Sequence, residues 1–184
     1  MTTSEVPPAR TTETTEPDER NEPALDATER AMLDGWLEYH RRTLVWKCSG
    51  LTDEQLKQAA VPSSTLTLLG LLRHLTEVER WWFTTVFGGE PDSWVYGTEE
   101  DPDGDFHFGP DDTYADALAT WQREVATTRT HAAKHDLDDL SVGTARGGQH
   151  FNLRWIYTHM IEEYARHNGH ADLIREAIDG STGE

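Results

Sequence analysis

The chain has 184 residues, a formal net charge of −18 at pH 7 and one cysteine, Cys48. That length suits one domain with some tail, large enough to bury a core without disulfides. A lone cysteine excludes an internal disulfide and any zinc site made of several thiolates, and the strong acidity disfavours nucleic acid and anionic membranes as partners.

The acidity is unevenly placed. Residues 1–26 hold seven acids against two bases, and residues 92–116 hold nine acids and no base, which leaves only −4 for the rest. The first stretch is Thr, Glu, Pro and Arg with almost nothing to bury, so residues 1–26 read as a disordered acidic tail and residues 27–180 as the folded body. No basic start followed by an apolar stretch marks a signal peptide. The longest apolar run, Leu66 to Leu72, is broken by Thr67 and Gly70 and is far from the ~20 residues that cross a bilayer. A cytoplasmic protein is expected.

Along the body, four long helical patterns follow one another. In the first, about Ala27 to Cys48, Leu33, Trp36, Leu37, His40, Leu44 and Val45 recur at three- and four-residue steps before Ser49-Gly50. Cys48 reads there as a small packed side chain. Thr52 with Gln55 three residues on forms a capping box for a short helical turn, which Pro62 ends. The second long helix runs from about Thr67 to Phe87, its inner face marked by Leu68, Leu71, Leu72, Leu75, Val78, Trp82 and Val86. Gly88-Gly89 closes it. Residues 90–110 make a long acidic loop whose Trp94, Tyr96, Phe106 and Phe108 predict that it packs down. The third helix starts near Asp111 or Asp112 and carries Tyr114, Leu118, Trp121, Val125, Thr128 and Ala132 inward. The fourth runs from about Leu153 to Ile178, before Gly180. No stretch alternates apolar and polar residues as a strand would. The expected class is all-α, a four-helix bundle.

Helix four carries the chemistry. On ideal geometry Ile156, Met160, Glu163, His167, His170 and Ile174 share one stripe, which places a carboxylate and an imidazole among aliphatic neighbours. A buried carboxylate needs a partner or takes up a proton. Glu163 and His167, spaced i, i+4, point to one spot, the spacing by which one helix offers two metal ligands. His74, flanked by Leu71, Leu75 and Val78 on the apolar face of helix two, supplies a third. Such a set, with one position open, is the form of catalytic zinc sites. Each residue also has a blander reading: His74 as a bonded core histidine, Glu163 and His167 as a buried hydrogen-bonded pair in a metal-free bundle. His170 remains open between fourth ligand, proton acceptor and support for a ligand, and His159 sits at the stripe's edge. His131 and His135 read as a solvated pair. The run from Asp101 through Asp103 and Asp105 to Asp112 lacks the turn glycine of a calcium loop, with Phe106 in its place.

Two stretches carry a family resemblance. Leu71-Leu-Arg-His-Leu-Thr-Glu-Val-Glu79 with Trp81-Trp82-Phe83, and His159-Met-Ile-Glu-Glu-Tyr-Ala-Arg-His-Asn-Gly-His-Ala-Asp-Leu-Ile-Arg175, resemble the second- and last-helix signatures of the DinB-like superfamily. The similarity spans about residues 28–180. It implies a four-helix bundle of the DinB/YfiT-like type, commonly a homodimer, with a divalent metal near one end. Many relatives use three histidines. Here Glu163 takes one of those places, which is similar to the His, Glu, His pattern of the mycothiol-dependent maleylpyruvate isomerase group, a zinc-binding group. The resemblance thus implies His74, Glu163 and His167 as ligands, zinc as the favoured metal and nickel as the alternative. Relatives of known activity are S-transferases or isomerases that use low-molecular-weight thiols. The expected function is a metal-dependent thiol S-transferase acting on a small-molecule thiol and an electrophilic substrate, with His170 as proton acceptor. The isomerase's extra C-terminal domain has no counterpart in this sequence, so that particular reaction is not expected. The competing expectation is a non-catalytic metal-binding or stress-response bundle with a structural ion.

Overall fold

The computed structural model describes residues 20–183, and it is all-α. The expected acidic tail lies outside those residues except for positions 20–26, and only two isolated β-bridges, Leu140 with Asn152 and Ala145 with Gln149, occur among the described residues. Helix α1 spans Glu29–Cys48. Thr28 caps it by accepting from the Ala31 amide, and Glu29 in its first turn and Lys47 in its last suit the helix dipole. Helix α2, Asp53–Leu56, has the capping box expected of Thr52 and Gln55. Helix α3 spans Leu68–Glu79 from a Thr67 cap, and the chain continues as a π-helical segment, Arg80–Phe87. A single regular helix was expected there. The buried positions Trp82, Phe83, Val86 and Phe87 fit a wide turn as well as an ordinary one, so their spacing does not reveal the change. Helix α4, Tyr114–Ala132, is capped by Thr113 rather than by Asp111 or Asp112. Asp112 instead accepts from the Gly109 amide at 2.7 Å. Helix α5, Leu153–Asp179, starts at the Asn152 cap and stops at Gly180, whose φ of 76° is the left-handed value that glycine adopts freely. None of these helices is long and apolar enough to cross a membrane.

Helix α1 packs on α5, and α3 packs on α1, α4 and α5. Leu71, Leu72, Leu75, Phe83, Val86, Ile156 and Met160 fill the space between them and are fully buried. At the middle of this core lies a carboxylate. Glu79 of α3, with no exposed surface, accepts both Nε and Nη2 of Arg41 from α1 at 2.7 Å. The Tyr164 hydroxyl of α5 donates to it at 2.9 Å, and the Trp121 indole of α4 donates to that hydroxyl at 2.8 Å. Arg41 extends the chain to Glu38, which also accepts from Arg129. Burial alone would push the Arg41 pKa down. The Glu79 carboxylate outweighs it and holds the guanidinium above its ordinary value, while burial and the same carboxylate raise the Tyr164 phenol well above its own.

The acidic loop packs against α3, as its aromatics predict. The Glu77 carboxylate accepts the consecutive amides of Val95, Tyr96 and Gly97 at 2.9, 2.5 and 3.0 Å. Arg73 donates to the Gly104 carbonyl at 2.9 Å and lies 4.2 Å from the Tyr96 ring centroid. Gly70 admits the loop's Phe106 so closely that a Cβ there would stand 2.6 Å from its ring.

Removing the central carboxylate strands a buried guanidinium. Glu79→Ala is expected to cost about 3–5 kcal/mol in urea unfolding, and replacing both partners by apolar residues (Arg41→Met with Glu79→Leu) should recover much of that. A loss below about 1 kcal/mol for Glu79→Ala, in the range of an exposed pair, would contradict the role given to it.

Candidate metal centre

Helices α3 and α5 bring His74, Glu163 and His167 together. One ligand atom of each lies within 4.8 Å of the others. The stripe on α5 differs from the expected one in detail. Its buried centre runs through Ile156, Met160, Tyr164, His167, Ala171 and Ile174, so Glu163 sits at the edge, its side chain 15 % exposed. A tyrosine near the predicted line took the central place because its hydroxyl has Glu79 to bond.

Distances within the group are informative. His167 Nε2 lies 3.5 Å from Glu163 Oε2, and His159 Nε2 lies 3.5 Å from Glu163 Oε1. A charge-assisted hydrogen bond would close to about 2.7–2.9 Å. Two ligand atoms each about 2.0–2.1 Å from one tetrahedral ion stand about 3.4 Å apart. The Glu163 carboxylate thus faces two imidazoles at one spacing, and His159 forms a second set with Glu162 and Glu163. The set of His74, Glu163 and His167 is the one drawn from two helices, and its two imidazoles and one carboxylate fit a divalent ion.

Both imidazoles are held from behind. His74 Nδ1 pairs with Asp105 Oδ2 at 2.7 Å, which turns Nε2 toward the group. Asp105 is 5 % exposed, and its Oδ1 is buried without a hydrogen-bond partner. The His74 ring also packs 5.4 Å from Phe106 and 4.8 Å from His167. His167 Nδ1 lies 3.3 Å from His170 Nδ1, so His170 stands against a candidate ligand rather than among the three. Sequence reasoning missed Asp105, weighing it only as part of a calcium-like run. The available signal was its position beside Phe106 in a loop expected to pack down.

Nearby groups complete the electrostatics. His159 is clasped by Trp82 and Trp155, with ring centroids 4.7 and 4.9 Å away, and burial lowers its pKa. Arg166 Nη1 lies 3.7 Å from Glu163 Oε1 and also pairs with Glu162. Arg146, on a left-handed backbone at φ 47°, lays its guanidinium over Trp82 and Trp155. Burial first, then the neighbouring His74, His170 and Arg166, lowers the His167 pKa from 6.5 to about 4. Its imidazole is therefore neutral at pH 7, the form that binds a metal. Cys48 takes no part. It is buried, and burial pushes its thiol up to about 12, far from a reactive thiolate. His135 pairs with Asp139 at 3.0 Å on the surface, as a solvated residue would.

A family model described as mycothiol-S-transferase matches residues 32–180, which takes in all three candidate ligands and Asp105. No curated protein matches the chain.

The shifted imidazole has a thermodynamic consequence. Between pH 6.5 and about 4 the unfolded chain takes up a proton that the native His167 refuses. The native state is thus favoured above pH 6.5 and loses that advantage as pH falls through the window. Melting temperatures of metal-stripped protein should fall from pH 6.5 to 4, and His167→Gln should flatten part of the slope. Identical slopes in both proteins would mean that His167 protonates freely in the fold.

Proposed function

The chain belongs to the mycothiol S-transferase family, a DinB-like family, and from that membership we propose that it is a metal-dependent S-transferase joining a low-molecular-weight thiol to an electrophilic small molecule. The observation that carries the metal part is the meeting of His74 from α3 with Glu163 and His167 from α5 within 4.8 Å, with Asp105 bonded to His74 Nδ1 behind it.

In this reading His74, Glu163 and His167 hold a divalent ion, with zinc preferred over nickel for a donor set of two imidazoles and a carboxylate. Such an ion would lower the pKa of a thiol beside it, so that a thiolate is available at neutral pH. The remaining work falls to side chains. Asp105 accepts a hydrogen bond from His74 Nδ1–H and fixes the tautomer whose Nε2 lone pair is free for the centre. His170 Nδ1 accepts from the Nδ1–H of His167, which leaves His167 Nε2 for the ion. Neutral His170 then carries its own proton on Nε2, so in this reading it orients His167 rather than accepting the thiol proton. Trp82 and Trp155 pack on His159 and hold it beside Glu163. With 28 % of its side chain exposed, His74 leaves the group open on one side. A thiol needs that opening, whereas a closed structural ion does not.

Elemental analysis of protein purified without chelator or nickel resin should find about one equivalent of zinc in the wild type and none in His167→Ala. Asp105→Asn should keep the fold and weaken metal affinity about 10–100-fold. Metal-loaded protein should accelerate the reaction of mycothiol with an electrophile, and His170→Ala, which frees the His167 ring, should slow it and weaken metal affinity as Asp105→Asn does. Wild-type protein that neither carries zinc nor takes it up on dialysis would end the metal reading.

A further inference from the structure

Farther along α3 and the π-helical segment from His74 is a cavity of about 280 Å³ with Val78, Trp81, Trp82 and Thr85 on one side and Trp94 of the acidic loop on the other; none of the three candidate ligands lines it. Val78 lies one turn beyond His74, about 6 Å along the helix axis. Trp82 belongs to both places: it lines the cavity and packs 4.7 Å from His159, whose Nε2 is 3.5 Å from Glu163.

Two features of the wall say what it would accept. The two large exposed aromatics among the described residues, Trp81 at 37 % and Trp94 at 45 %, both face this cavity. Exposing indoles gains the fold nothing, and they offer ring faces to a flat partner. The charged groups, in contrast, are already engaged. Glu77 is saturated by three loop amides. Arg80 is paired with Glu124 and with Ser93. Asp92 adds a negative charge at the lining, which disfavours an anion. The volume is just under the usual range for ligand pockets, which starts at about 300 Å³, and so suits one substituted ring.

We propose that this cavity holds the electrophile, as an uncharged planar aromatic group stacked between Trp81 and Trp94, with its reactive carbon turned toward the His74 side. The reaction half of this statement rests on the S-transferase reading above; the binding half does not. In the reaction the thiolate sulfur forms a bond to that carbon, the bond from carbon to the leaving group breaks, and the leaving group departs with its electron pair. The thiol's proton is released to solvent. The polar thiol approaches from the open side at His74, because the indole wall gives it nothing to bond.

The test uses 1,3-dinitrobenzene, which is flat, uncharged and unreactive, titrated by calorimetry into the full chain stripped of metal and without thiol. Trp81→Ala and Trp94→Ala should each weaken binding about tenfold, Leu173→Ala on the far surface of α5 should leave it unchanged, and 3,5-dinitrobenzoate should bind less tightly than the neutral probe. Circular dichroism confirms that each variant is folded. Absent binding by the wild type, or equal binding by the tryptophan variants, would overturn the proposal. So would sedimentation showing a wild-type dimer that Trp81→Ala converts to monomer, since a second copy would then cover the face. Because neither metal nor thiol enters the assay, such a failure leaves the S-transferase reading standing, and a protein without metal would still bind the probe.

Discussion

The fold turns on one buried carboxylate. Glu79 is the point at which all the long helices meet: its own α3, Arg41 from α1, Tyr164 from α5 and, through that hydroxyl, Trp121 from α4. Apolar side chains can slide past one another with small changes in energy, whereas a buried ion pair with satisfied hydrogen bonds has one low-energy arrangement. Greasy contacts supply the bulk of the burial, and Glu79 fixes how the helices are rotated about their axes. Because Tyr164 and Glu163 are sequence neighbours, pinning the tyrosine to the core also sets the direction in which the Glu163 carboxylate leaves the helix. The chain changes from α- to π-helix immediately after Glu79, and such segments gather where a regular helix would place side chains wrongly for function.

Helix α3 then does a second job. Within little more than one turn, Arg73, His74 and Glu77 each grip the acidic loop: a guanidinium on the Gly104 carbonyl, an imidazole on Asp105 and a carboxylate on three successive amides. The loop's surplus negative charge explains why this clamp is needed. Nine acids in residues 92–116 repel one another, and a loop so charged would stay extended unless backbone and ring contacts held it down. Asp105, carried into the interior by Phe106 packing against Gly70, is the one acid of the loop put to use against the imidazole of His74. Site and loop are therefore coupled, and a change at Gly70 or Glu77 reaches His74 without touching it.

Much of this was legible in the sequence. The helices followed from three- and four-residue apolar steps, and their ends from Thr52, Gly88-Gly89 and Gly180. His74, Glu163 and His167 stood out because polar residues interrupted apolar faces at ligand spacing. Asp105 and the place of Tyr164 escaped notice for one physical cause: both depend on contacts between segments far apart in sequence. Asp105 lies 31 positions from His74, and nothing local distinguishes it from Asp101 or Asp103. Tyr164 displaced Glu163 from the centre of its stripe because of Glu79, 85 positions away. The π-helical segment was hidden for a different reason, since over two turns its burial pattern coincides with that of an α-helix.

A carboxylate beside two imidazoles sets the charge of the candidate centre. Under the proposed reading a divalent ion with Glu163 alone leaves one positive charge, and Asp105 behind His74 lowers the field further. A thiolate arriving there adds another negative charge to a half-buried space, which is costly unless cations stand near. Arg166 lies 3.7 Å from Glu163, and Arg146 is held over the adjacent tryptophans by ring faces rather than by a carboxylate. Cation–π contacts restrain the position of a guanidinium while leaving its hydrogen-bond donors free. Under the proposed reading, arginines at the edge of the site would offset its anionic groups, so that a thiolate would be accepted where two carboxylates would otherwise repel it.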